Sequence, residues 1–363
     1  MSLDGYTIRM FDTGDRPAWL ELYETVHGVN HDAEWFGWKY EHNPFTDHVP
    51  VLVAEHDDRI VGTRPLLAMP MRAGAWHGVA FEHGDAMVHP DHRRRGLFTA
   101  MVERAVARYR EADVSFIFSF PNEKSGPAYR QLGWPIVGVV PEAYRFHRPG
   151  RVLAGRLDWP PARRLDRFIR QGQGLRDRAR AIGRPIPAGV RTELTKAPPV
   201  AELEALYRTA IPEQLHAERS AAFLRWRFAN PEWTYVTLVG RIDDEAVAAL
   251  VVGRRREGDG TRVVRITDVL PVDGGWRRDV VLEVLLGDVL EAFDDHDLFI
   301  APGAAMPASA RRRWGFHDKD RWPLSKMTQN TTLFVKPLNA LPAGVSPTAW
   351  DGWKPTFVEY DTA

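Results

Sequence analysis

No cysteine occurs in the 363-residue sequence, which excludes disulfide bonds, thiolate metal sites and a cysteine nucleophile. Net charge is also missing: 48 basic and 48 acidic residues cancel, so no overall field draws the chain to nucleic acid or to a membrane. Long apolar runs are absent too. The most apolar late stretch, residues 280–290, is interrupted by Glu283 and Asp288 and cannot span a bilayer. The first residues hold no basic segment followed by an apolar one, so no signal peptide and a cytoplasmic location are expected. The apolar (44%) and charged (26%) fractions are those of an ordinary globular protein, long enough for two domains.

The informative residues lie between 87 and 134. An apolar, β-prone stretch ending in Ala86-Met87-Val88 stops at His89-Pro90. A basic turn follows, Asp91-His92-Arg93-Arg94-Arg95-Gly96, and behind it a helix opens. Phe98, Met101, Val102, Ala105, Val106 and Tyr109 recur on it as one apolar stripe. A strand, a glycine turn and a helix N-terminus gather free N–H groups and a positive dipole end around one point, an arrangement that holds phosphate. Three successive arginines add charge suited to a pyrophosphate. Residues 114–120 then read as a β-rich strand, followed by Asn122-Glu123-Lys124-Ser125-Gly126-Pro127-Ala128-Tyr129-Arg130-Gln131-Leu132-Gly133-Trp134.

At these residues the chain resembles the GCN5-related N-acetyltransferases (GNAT). Arg93-x-x-Gly96-x-Phe98 is similar to their acyl-CoA pyrophosphate loop, Gln/Arg-x-x-Gly-x-Gly/Ala, with Phe98 standing where a small residue is preferred. The run from Asn122 to Trp134 is similar to a later family motif, Asn-x-x-Ala/Ser-x-x-x-Tyr-x-x-Leu-Gly-Phe/Trp. The resemblance implies an α/β (α+β) fold, a mostly antiparallel mixed sheet flanked by helices. It implies that acetyl-CoA, or another short acyl-CoA, is held at its diphosphate by Arg93, Arg94, Arg95, Gly96, Leu97 and Phe98. Met87 and Val88 would pair with the pantetheine amides on a strand that splays from residues 116–120, and Asn122 would hydrogen-bond the cofactor arm. Tyr129 is the implied acid for the leaving thiolate. Glu82 falls where histone-acetylating relatives carry a catalytic glutamate and is the first candidate base. His83, on the other face of a regular strand, is the second. Ser125 is expected to cap the helix that follows it. No metal is expected. Glu82 in a structural ion pair, and Tyr129 packed with its hydroxyl in water, are the bland alternatives. Trp35, Trp38, Tyr40 and His31 either line the acceptor side or form core.

A second copy of the pattern follows. Phe223 to Pro231 echoes Phe36 to Pro44, Arg312-Arg313-Trp314-Gly315-Phe316 echoes Arg130-Gln131-Leu132-Gly133-Trp134, and Asp243-Asp244 lies between strand-like runs as Asp57-Asp58 does. The copies differ chemically: Arg311 stands for Tyr129, Ala304 for Asn122, and Asp279 is placed opposite Gly96, where a carboxylate repels phosphate. The expected organisation is a catalytic GNAT domain over 1–148, an arginine-rich helical linker over 149–189, a degenerate GNAT-like domain over 190–337 and a tail over 338–363 that packs across the surface. Residues 136–146 are expected to close the first sheet as a strand or hairpin. The function expected is N-acyl transfer from acyl-CoA to a small-molecule or peptide amine by direct attack, with no nucleic-acid or membrane partner and with a homodimer compatible. An aminoacyl-tRNA-dependent transferase of the same tandem fold and a non-catalytic acyl-CoA-binding regulator are the alternatives.

Overall fold

The computed structural model describes residues 3–152, 189–322 and 324–360, with residues 166, 172–175, 177 and 179 of the stretch between. Most of the expected arginine-rich linker therefore lies outside the described residues. The α/β expectation holds: two mixed sheets carry helices on their faces.

The first sheet begins with β1 (Thr7–Met10) at its edge, separated from β2 (Val51–His56) by α1 (Arg16–His27) and α2 (Ala33–Phe36). The Asp32 side chain caps α2 by accepting from Trp35 N–H, and the helix then widens into a π-turn over Gly37–Glu41. β2 turns back at Asp57-Asp58, both at positive φ, into the long strand β3 (Arg59–Ala73). β3 ends at Ala73, the chain turns at Gly74, and β4 (Trp76–His83) runs back beside it. Next come β5 (Met87–Val88), α3 (Leu97–Arg110), β6 (Phe116–Ser119), α4 (Gly126–Gln131), β7 (Ile136–Val139) and β8 (Glu142–Phe146).

The later half runs β9 (Val190–Thr195), α5 (Val200–Thr209), β10 (His216–Ala217), α6 (Ala221–Arg227), β11 (Thr234–Ile242), β12 (Glu245–Arg256) and β13 (Arg262–Leu270). α7 (Trp276–Ala292), β14 (Leu298–Pro302), α8 (Ala308–Arg313) and β15 (His317–Asp318) follow, and β16 (Thr332–Pro337) closes the series. Its β11–β12 turn at Asp243-Asp244 repeats the double positive φ of Asp57-Asp58.

Residues 136–146 do not form a hairpin. Pro141 supplies no N–H to one, and the two strands part company there. β7 pairs with β16, while β8 pairs with β14 and β15 in the second sheet. Each sheet thus takes one strand from the other half: β16 lies between β6 and β7, and β8 lies between β14 and β15. The sheets consequently do not divide at residue 148. β10 makes a further link by pairing His216 and Ala217 with Arg72 and Met71 of β3.

The repeated tryptophans meet across the halves. Trp38 Nε1 donates to the Trp226 carbonyl (2.7 Å), Trp226 Nε1 donates to the Trp38 carbonyl (2.8 Å), and the rings stack at 6.1 Å. Trp35, Trp38 and Tyr40 are all buried, which assigns them to the core. The tail is not a surface strap. Trp353 packs on Phe116 and Phe118, Tyr360 stacks on Phe120 at 4.2 Å, and Phe357 and Val358 are buried.

Candidate active site

The site is built where one sheet opens. β3 runs antiparallel to β4 up to Leu66–His83, and resumes with β5 at Thr63–Met87 and Gly62–Val88. Between them residues 84–86 bulge, with Asp85 at φ 39°. On the other side β4 pairs with β6 in parallel only through Phe81–Ile117 and Glu82–Phe118. Beyond that pair β5 keeps β3 as its one partner among the described strands, so the sheet splays between β5 and β6. Ser119 Oγ donates to the His83 carbonyl (3.2 Å) at the apex of the opening.

The bulge is fixed by burial of charge. Asp85 Oδ2 accepts from Lys39 Nζ and from Tyr40 Oη, both at 2.5 Å. Burial pushes the Asp85 carboxyl up, but the Lys39 ammonium and these hydrogen bonds outweigh it and hold it below its usual range. A non-glycine residue in the left-handed region and a π-turn are both costly, and here each supports the other.

Beyond Val88 the chain passes through a 3₁₀ turn, Pro90–His92, and reaches Gly96 at φ 86°, the N-cap of α3. The first intrahelical bond is Ala100 N–H to the Gly96 carbonyl, so the amides of Leu97, Phe98 and Thr99 lie ahead of the helical ladder. Arg93, Arg94 and Arg95 are exposed around this mouth. Arg93 Nε donates to the Val88 carbonyl (3.1 Å), tying the turn to the strand end. A Cβ on Gly96 would meet nothing within 4 Å, so the space beside it is open. The loop thus fits an anionic diphosphate. Phe98 does not block it, because its ring turns inward to meet the Tyr129 ring edge-on at 5.8 Å.

Tyr129 on α4 is buried at the apex. Its hydroxyl accepts from Arg64 on β3 and lies 3.1 Å from His83 Nδ1. Phe98, Trp134 and, from the exchanged strand β16, Phe334 enclose the ring. Burial pushes the phenol pKa up and the Arg64 guanidinium pulls it back, while the Glu82 charge raises it. Burial, reinforced by Arg64, holds His83 well below its ordinary pKa, so the imidazole is neutral. Glu82 is as buried as Tyr129, but strand alternation places it on the opposite face from His83, with Ala80 and Phe118. His83, not Glu82, therefore touches the tyrosine.

One local expectation changes. Asn122, not Ser125, organises the turn before α4: its Oδ1 accepts from Lys124 N–H (2.9 Å), Ser125 N–H (3.1 Å) and Ser125 Oγ (3.3 Å), and Ser125 makes no cap. Arg64 was not singled out from the sequence. The signal was a lone arginine at the Leu66, Ala68 face of an apolar β-run, where a charge needs a partner.

Residues 7–137 match the family model for the acetyltransferase (GNAT) domain. The GNAT match includes the splayed strands, the arginine turn and Tyr129. No curated protein matches. Among solved structures the chain is similar to a GCN5-related N-acetyltransferase of Anabaena variabilis (12% identity, TM-score 0.59, covering 92% of this chain and 73% of that one). It is also similar to a probable N-acyltransferase of Enterococcus faecalis (10%, 0.60, 92% and 72%) and to Eis1 of Mycobacterium abscessus (15%, 0.52, 92% and 73%). At these identities the likeness is one of fold, and it extends through both sheets. No group of metal-ligating side chains occurs among the described residues, and none of their helices is long and apolar enough to cross a membrane.

Proposed function

We propose that the chain transfers an acetyl or other short acyl group from acyl-CoA to a primary amine, by direct attack in a ternary complex. The observation that carries this reading is one continuous strand–loop–helix unit. It offers unbonded amides and three exposed arginines at one end, and a buried tyrosine where the strands part at the other. The thioester is the acyl source. Leu97 to Thr99 amides and Arg93 to Arg95 hold the diphosphate, and Met87 and Val88 offer the strand edge that β6 has left. Glu82 takes a proton from the amine as the nitrogen attacks the thioester carbon. As the new C–N bond forms the C–S bond breaks, and Tyr129 Oη gives its proton to the sulfur. Exchange with solvent returns one proton from Glu82 and restores one to Tyr129.

The test uses the lack of protein thiols: CoA release over an amine panel can be read with a thiol reagent without background. Saturable release supports the reading. Acetyl-CoA binding with no release for any amine leaves a regulatory binder, and no saturable binding removes both. Glu82→Gln is expected to flatten the alkaline-rising limb of the pH–rate profile, and Tyr129→Phe to slow turnover about 100-fold with CoA affinity kept.

A further inference from the structure

Among the described residues Arg64 is the buried cation that touches the tyrosine at the apex. It is 2% exposed in the middle of β3, on the face shared by Leu52, Leu66 and Ala68. A guanidinium has only donors, so Tyr129 Oη is the acceptor of that bond, and its own proton is free to turn elsewhere. The guanidinium also lies 5.2 Å from the Phe98 ring centre and 5.5 Å from that of Tyr129, wedged between α3 and α4.

We propose that Arg64 is a positioning residue for the acyl transfer proposed above: it fixes Tyr129 Oη at the apex and carries the negative charge that oxygen acquires when its proton leaves for the sulfur. The inference rests on Tyr129 being the acid in that reading. The groups facing Oη are few. Arg64 from β3 favours the phenolate, His83 from β4 is neutral and Ser119 from β6 is uncharged, Phe98, Trp134 and Phe334 complete an apolar wall, and Glu82, on the far face of β4, opposes the phenolate through its charge alone. In that enclosure water cannot stabilise a phenolate, and the nearest compensating charge is the guanidinium.

A double-mutant cycle decides it. Arg64→Met is expected to lower kcat roughly 10- to 100-fold with the KM for acetyl-CoA within about twofold, Arg64→Lys to recover part of the loss, and Arg64→Met to add almost nothing in a Tyr129→Phe background. An equal loss in both backgrounds, or unchanged kcat in Arg64→Met, overturns the proposal. Since Arg64→Met removes a buried charge and can unfold the chain, Arg64→Lys is measured alongside; if Met does not fold, a Lys loss of the same size in both backgrounds overturns it equally. A second readout needs no turnover. With 3-fluorotyrosine incorporated, the Tyr129 fluorine resonance, assigned through Tyr129→Phe, is expected to titrate at higher pH in Arg64→Lys and Arg64→Met than in the unsubstituted chain. An unchanged or lower midpoint overturns the Arg64 role. A raised midpoint in a chain that acylates no amine instead leaves the pairing standing and removes the acyltransfer reading.

Discussion

The two halves each carry a strand, a loop and a helix in the same order, and they differ in how the loop is used. In the first, residues 89–95 separate β5 from Gly96 at the mouth of α3. In the second, only residues 271–274 separate β13 from Gly275 at the mouth of α7, and α7 has 17 residues against 14 in α3. The missing loop has been wound into the helix. The extra turn is Trp276-Arg277-Arg278, so the structural partner of Gly96 is Gly275, and Asp279 does not stand opposite it. The spacing that relates Tyr129 to Arg311 itself sets Arg278 there. Arg278 turns back and fills the mouth: Nε donates to the Pro271 carbonyl (2.7 Å), and Nη2 to Val272 (3.0 Å) and Ala305 (2.8 Å). One unit leaves the amides at the mouth of its helix open, and the other occupies the equivalent space with its own side chain. The fold and an open helix mouth are thus separable properties of one motif.

The largest effect expected is from cutting the strand exchange. A chain of residues 1–148 lacks β16, which sits between β6 and β7 and brings Phe334 onto Tyr129. It should show no cooperative thermal transition by circular dichroism and no acetyl-CoA binding. A truncated chain that folds and binds would mean that the first unit is independent of the second, and the comparison between halves of one structure would fail.

Next come the loops themselves. Gly96→Asp places a carboxylate among the amides at the mouth of α3 while its Cβ meets no atom, so the fold should survive at a cost of about 1–2 kcal/mol for the positive φ. Acetyl-CoA affinity by calorimetry should fall more than about 100-fold, or roughly 3 kcal/mol. Arg278→Met should behave oppositely: it strands three buried carbonyls and lowers the denaturation free energy by about 2–3 kcal/mol, with acetyl-CoA affinity unchanged. Equal binding losses in the two variants would erase the distinction.

The arginine turn, the helix behind it and the Asn122-to-Trp134 run could be read because their information is local: apolar spacing, a glycine and a turn lie within one stretch of chain. The Trp38–Trp226 echo was also visible, since duplication writes itself as repeated words. What escaped was non-local. Nothing near Glu142 says that it pairs with Pro302 rather than folding back on Val139, and nothing near Thr332 says that it joins a sheet begun more than 300 residues earlier. Arg64 carried no local signal of its partner, because Tyr129 reaches it from α4, 65 residues further along the chain. The tail's aromatics, at loose spacing, carry no period from which burial could be inferred.

The pH dependence of stability sharpens how the halves are joined. His216 on β10 bonds Tyr207 Oη (2.9 Å) and the Gln214 carbonyl (2.7 Å), beside the buried Arg219, whose partners are Asp268 and Glu359. Burial, with Arg219 adding to it, holds its pKa down to about 3, against about 6.5 in an unfolded chain. The folded value is the lower one, so stability is complete above pH 6.5 and declines as the unfolded chain takes up the proton, toward pH 3. Between pH 6.5 and 5 the loss should be about 2 kcal/mol from this residue, with His83 adding in the same direction. Urea unfolding at both pH values, compared with His216→Gln, isolates the His216 share. An identical pH slope in the variant would mean that the join between β10 and β3 is not where the acid sensitivity lies.

The smallest effect tests the symmetry itself. Each indole N–H satisfies the other tryptophan's carbonyl, so Trp38→Phe and Trp226→Phe each remove one bond and leave one buried carbonyl without its donor, a loss of about 1–2 kcal/mol. The surroundings are not copies: Lys39 is drawn away to Asp85, whereas Arg227, just after Trp226, lies over both rings at 5.8 Å and 5.9 Å. Because that one guanidinium sits almost evenly on the pair, it should not favour either member, and the two single variants should lose the same stability within about 0.5 kcal/mol. The double variant should lose less than the sum, because the first substitution already spoils the stack that holds the second. A difference above about 1 kcal/mol between the singles would mean that the pair is symmetric in hydrogen bonding but not in energy, and that the duplicated seam has diverged as far as the loops it supports.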